Sequence, residues 1–125
     1  MIRRILVIDD EASILVVVKT TLEITAGWKV ITTDSAMAGF EIAKREQPDA
    51  ILLDVVMPDL DGVTVFQKLQ MEPQTQDIPV IFLTAKARYV ERESLEHLGS
   101  AGMIYKPFEA GAIADQVKTL LGWAH

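Results

Sequence analysis

The sequence predicts an α/β domain, a parallel sheet with helices on both faces, and three observations carry that prediction. Short runs rich in Val, Ile and Leu recur at 5–8, 50–53 and 80–83. Such runs suit strands buried on both faces of a parallel sheet. Helix-like segments separate them, giving the βαβ alternation. Each run also stops abruptly at a polar residue: Asp9-Asp10, Asp54 and Thr84.

The elements follow in order. After the first strand, residues 11–25 read as a helix with Ile14, Val18 and Leu22 on one side, ending near Gly27. Residues 29–33 form a second, β-branched strand. Ser35 can cap the next helix, which runs to about Glu46 and stops before Pro48. The third strand is 50–54. A turn at 57–62 holds Pro58, Asp59, Asp61 and Gly62. Residues 63–71 are helical and 72–77 form a polar loop. Pro79 opens a fourth strand at 80–83. A charged helix at 88–98 ends at Gly99 and Gly102. Residues 103–105 make a short fifth strand, and 109–123 the last helix. Right-handed crossovers leave few ways to wind about five such units. The 125 residues suit one domain, spanning 1–125, with no linker and no output domain.

In an open sheet of this kind, ligands sit beyond the carboxyl ends of the strands, where strand order reverses. Asp9, Asp10 and Asp54 would crowd negative charge there, and like charges so close need a neutraliser. Oxygen-only ligands favour Mg²⁺. Thr84 and Lys106 stand at two further strand ends. A carboxylate can attack phosphorus to form an aspartyl phosphate. The transferred group then needs positive or hydrogen-bonding partners, which Mg²⁺, an ammonium and a hydroxyl supply. No cysteine, serine triad or glycine-rich phosphate loop competes for the role.

The run Leu6-Val7-Ile8-Asp9-Asp10-Glu11 resembles the opening of a response-regulator receiver domain of bacterial two-component signalling, the CheY-like superfamily. The segments 53–62, Leu83-Thr84-Ala85-Lys86 and Tyr105-Lys106-Pro107-Phe108 carry the same resemblance. It covers essentially the whole chain, and four segments in order at receiver spacing are specific. The resemblance implies a flavodoxin-like doubly wound sheet of five strands in the order 2-1-3-4-5. It implies that Asp54 accepts phosphoryl from a kinase phosphohistidine, and that Asp10 and Asp54 bind Mg²⁺ directly and Asp9 through water. The Val56 backbone carbonyl would be the remaining protein ligand. It further implies that Lys106 pairs with the phosphoryl oxygens, that Thr84 moves toward them as a switch, and that Pro107 is a candidate for a cis peptide bond.

The chain departs from the family at three places. Met103 occupies the position of the usual switch aromatic, three residues before the lysine. Tyr105 lies two residues further along the strand, on the same side by period-two geometry, and is the candidate substitute. Val56 and Lys86 are apolar and basic where polar or acidic side chains are frequent, which predicts an altered phosphoryl lifetime.

Plainer readings stand beside these. Asp9-Asp10 alone would be acids favouring a helix N-terminus; Asp59 and Asp61 are turn formers. The segment 59–63 resembles the nucleophile motif of haloacid-dehalogenase-type phosphatases, but Pro58 precedes it and the strand has already ended at Asp54. His97 and His125 have no partner histidine at ligand spacing, so zinc is not expected. Trp28 and Trp123 are packing residues. Residues 14–22 are core first, with apolar positions on more than one face that suit docking to a kinase helical bundle.

The formal net charge of −6 argues against direct nucleic-acid contact. The charge-poor last helix argues against a winged-helix activator. No run is long enough for a secretory core or a membrane span, and with no cysteine the chain reads as cytoplasmic. The reading is a phosphorylation-dependent receiver, not a classical enzyme. Its partners are a sensor histidine kinase or phosphotransfer protein and a downstream protein or output domain; a homodimer stays open. The alternatives are an unphosphorylated interaction module and a phosphohydrolase, the latter lacking a substrate-recognition cap.

Overall fold

Five parallel strands stand in the order β2-β1-β3-β4-β5. They are β1 (Arg4–Ile8), β2 (Lys29–Thr33), β3 (Ala50–Asp54), β4 (Val80–Ala85) and β5 (Gly102–Lys106). Among the described residues the α-helices are α1 (Ala12–Ala26), α2 (Ala36–Glu46), α3 (Gly62–Met71) and α4 (Ile113–Leu121). The structure, a computed structural model, describes residues 2–55, 57, 60–85 and 99–124. The predicted helix at 88–98, and with it His97, lies outside the described residues, as do Val56, Pro58, Asp59, Lys86 and His125. This is the flavodoxin-like winding: the chain steps from β1 to β2, then returns across β1 to β3, which creates the switch point.

Alternation along each strand sorts the aliphatics onto two cores. Ile5, Val7, Leu52, Ile81 and Leu83 face Val18 and Leu22 of α1 and Ile113 and Val117 of α4. Leu6, Ile8, Ile51, Leu53 and Phe82 face Ala43 of α2 and Val65, Phe66 and Leu69 of α3. Burying each large aliphatic side chain contributes about 1.5–3 kcal/mol. All residues of β3 are buried, so the strand that ends in Asp54 is the best anchored.

Local chemistry sets the element ends. The Ser35 hydroxyl accepts from the Ala38 N–H at 3.2 Å and starts α2. Asp61 Oδ1 accepts from the Thr64 N–H at 2.9 Å and starts α3. Gly27 closes α1 at φ 70°, a left-handed position that costs glycine little.

Several boundaries differ from the sequence reading. Glu11 is the N-cap of α1, not its first turn. β4 runs on to Ala85 and β5 begins at Gly102, so Thr84 and Lys106 lie within strands. The last helix opens as a 3₁₀ turn (Ala110–Ala112), whose preceding Glu109 makes no side-chain cap, and turns α-helical only from Ile113. Gly122, at φ 71°, ends α4, and Trp123 then folds back: its N–H donates to the Lys118 carbonyl at 2.9 Å. Trp123 meets Trp28 edge-on at 5.5 Å between centroids. The Arg3 guanidinium sits 4.0 Å from the Trp123 ring centre. On α1, Val16, Val17 and Ile24 are exposed beside the buried Val18 and Leu22, so that helix is apolar on more than its core side. No helix among the described residues is long and apolar enough to cross a membrane.

Candidate functional site

The carboxyl ends of β1, β3 and β5 bring the site together. Asp9 follows the last residue of β1. Its N–H donates to the Thr33 carbonyl at 3.2 Å, which ties it to the end of β2. Its Oδ1 accepts from the Glu11 N–H at 2.9 Å, and the side chain is fully buried. Asp10 is exposed. Asp54 is the last residue of β3 and is buried.

The first position of α3 leaves space for glycine only. The Gly62 N–H donates to the Val55 carbonyl at 2.7 Å. A Cβ on Gly62 would run into the Asp54 carbonyl oxygen and come within 2.8 Å of the Val55 Cα. Gly62 therefore lets α3 start directly against the strand that carries Asp54.

One ligand oxygen each from Asp9, Asp10 and Asp54 lies within 4.8 Å of the others. Lys106, at the end of β5, faces them. Its Nζ is 2.7 Å from Asp9 Oδ2, 3.6 Å from Asp54 Oδ2 and 3.5 Å from Glu11 Oε1. Burial alone would pull the Lys106 pKa down. The close ion pair with Asp9 and the charges of Asp54 and Glu11 outweigh it and hold the pKa above the ordinary lysine value. Three carboxylates against one partly shared ammonium leave a surplus of negative charge and only oxygen donors. That donor set fits a hard divalent cation such as Mg²⁺, and the exposed Asp10 leaves one side open to the waters that Mg²⁺ retains.

Thr84 is buried, and its Oγ1 has no hydrogen-bond partner among the described residues. It lies one position beyond Leu83, the register partner of Asp54, and is itself the register partner of Tyr105. Met103 pairs with Phe82 in register and packs against the core below it. The Lys106–Pro107 peptide bond is cis, and Phe108 packs on the α1 side of the core.

The profile of the response regulator receiver domain matches residues 5–118. The chain belongs to the response regulator receiver domain family. This receiver is 36% identical over 118 residues to the DNA-binding dual master transcriptional regulator RpaA of Synechocystis; the match covers 94% of the chain and 48% of that protein. The receiver thus spans about half the length of the curated relatives it matches. Among solved structures it resembles the chemotaxis response regulator CheY4 of Vibrio cholerae, with a TM-score of 0.88 and 25% identity over 96% of this chain and 99% of that one. It also resembles the receiver domain of the sensor histidine kinase PA1611 of Pseudomonas aeruginosa, solved with magnesium coordinated in its active-site cleft; the TM-score is 0.86 at 25% identity, over 98% and 99% of the two chains.

The sequence reading overlooked two residues of the receiver's site. Glu11 reads in the sequence as the start of a helix and as part of its motif, yet its carboxylate reaches Lys106 across 95 positions of sequence. Gly62 reads as a turn former; its closeness to Asp54 is a tertiary fact.

Proposed function

We propose that this receiver accepts a phosphoryl group on Asp54 from the phosphohistidine of a sensor kinase or phosphotransfer protein, and passes the change to a downstream domain or protein. The observation that carries this reading is the juxtaposition of the Asp9, Asp10 and Asp54 carboxylates with the Lys106 ammonium at the strand ends. The Asp54 carboxylate attacks phosphorus as the donor's P–N bond breaks, and the imidazole leaves. Asp10, Asp54 and, through water, Asp9 would hold Mg²⁺, with the Val56 carbonyl as a further ligand. The bound cation would neutralise the phosphoryl oxygens and the carboxylates together. Lys106 supplies positive charge to one side of the transferred group. The Thr84 hydroxyl, without a hydrogen-bond partner among the described residues, donates to a phosphoryl oxygen after the transfer. That contact exists only in the modified state, so it biases the conformational equilibrium. Tyr105, beside Thr84, is the candidate to follow it in place of the aromatic that Met103 replaces.

The test is intact mass after acetyl phosphate and Mg²⁺, for wild type and Asp54→Ala. One phosphoryl added to wild type only, and only with Mg²⁺, supports the reading. No addition, under conditions that modify another receiver, would overturn it in favour of an unphosphorylated interaction module.

A further inference from the structure

We propose that Glu11 is the exchangeable partner of Lys106, holding the ammonium donor that a phosphoryl oxygen on Asp54 later takes over. This rests on Asp54 as phosphoacceptor and adds a positioning residue to that site. An ammonium has three N–H donors, and Lys106 Nζ faces three carboxylates: Asp9 at 2.7 Å, Glu11 at 3.5 Å and Asp54 at 3.6 Å. The three are not equivalent. The Asp9 side chain is 0% exposed, and releasing it would strand a buried charge. Asp54 is the group being modified. The Glu11 side chain is 57% exposed, so water replaces the lysine at little cost.

Two local facts make the exchange easy. Glu11 is the N-cap of α1 but makes no side-chain capping bond, so no helix contact is lost when its carboxylate swings away. Its backbone is fixed independently, by the N–H bond to Asp9 Oδ1 at 2.9 Å, so the helix start need not move. Glu11 thus lowers the free energy of the unmodified state, keeps the ammonium ordered, and slows the transfer in proportion to the contact that must break.

The experiment compares wild type, Glu11→Gln, Glu11→Asp and Glu23→Gln. Glu11→Asp keeps the charge but shortens the reach. Glu23 pairs with Lys19 at 2.9 Å on the same helix, so Glu23→Gln removes an equal charge elsewhere. Two quantities are read: the Lys106 ammonium ¹⁵N resonance without Mg²⁺, and the rate of phosphorylation by acetyl phosphate with saturating Mg²⁺. An exposed ion pair of this kind corresponds to a rise in rate of about two- to fivefold. Glu11→Gln and Glu11→Asp are both expected to show that rise and to shift the resonance, and Glu23→Gln to do neither. An unchanged rate in Glu11→Gln overturns the proposal, as does a Glu11→Asp protein that matches wild type in both readouts, since charge and not contact would then be at work. If wild type itself takes up no phosphoryl group, the phosphoacceptor reading falls and this inference with it. A phosphorylated wild type with a silent Glu11→Asp sinks this inference alone.

Discussion

Thr84 and Tyr105 are register partners on β4 and β5, so two hydroxyl-bearing side chains leave the same face of the sheet side by side. Only the first is fully buried, and its Oγ1 lacks a partner among the described residues. A buried hydroxyl without a partner costs about 1–3 kcal/mol. Thr84→Val, of nearly the same shape, is therefore expected to stabilise the unmodified protein by about 1 kcal/mol in urea unfolding. The same variant is expected to lose the phosphorylation-dependent amide shifts of the β4 end. Tyr105→Phe and Met103→Tyr, followed by the same shifts, test the role of the neighbour; no change in either would remove Tyr105 from the switch.

Lys106 is the counter-charge of a fully buried carboxylate, Asp9. Lys106→Met is expected to cost about 3 kcal/mol in the metal-free protein, because it leaves that charge unpaired. Added Mg²⁺ is expected to recover part of the loss. The pH dependence has a definite sign. The folded-state pKa of Lys106 lies above its ordinary 10.5. Its contribution is thus complete below 10.5 and disappears as the pH rises through the raised value. The wild-type advantage over Lys106→Met in urea midpoint is expected to hold between pH 6 and 9 and to shrink in that alkaline window; an advantage that fell away between pH 6 and 9 would contradict the pairing.

Asp10 adds an exposed third carboxylate to a cluster within 4.8 Å. At such a distance in water, like charges repel by about 1 kcal/mol. Asp10→Asn is expected to stabilise the metal-free protein by about that amount and to abolish the rise in melting temperature that Mg²⁺ gives wild type. Thermal melts in EDTA and in Mg²⁺ read both effects.

Gly62→Ala has no room for its methyl, since the obstacles are the backbone of Asp54 and Val55. The expected destabilisation is about 1–3 kcal/mol in urea unfolding. Because the strain falls on the residue that carries the proposed phosphoacceptor, phosphorylation by acetyl phosphate is expected to slow as well. A variant as stable and as reactive as wild type would mean that the loop relaxes freely.

Much of the fold could be read from the chain. β1 and β3 are short aliphatic runs closed by acids, a pattern that suits buried parallel strands. β5 looked shorter than it is because glycine and lysine at its two ends carry no strand signal. The last helix looked longer because residues 110–112 are helix-compatible without a capping side chain. The acids and Lys106 could be placed at one edge from strand ends alone. The 3.5 Å contact of Glu11 with Lys106 could not, since an exposed glutamate beside a helix start looks like any solvated acid until the sheet closes over 95 residues.

Both tryptophans of the chain, Trp28 and Trp123, meet edge-on at the amino-terminal edge of the sheet, with Arg3 beside them. The acidic cluster occupies the opposite edge, one strand length away, or about 16 Å for five residues. The intrinsic fluorescence of this protein is therefore an unfolding gauge. Quenching and spectral shifts will follow loss of the Trp28–Trp123 contact and the loosening of the last helix, while metal and phosphoryl chemistry at the far edge stay optically dark.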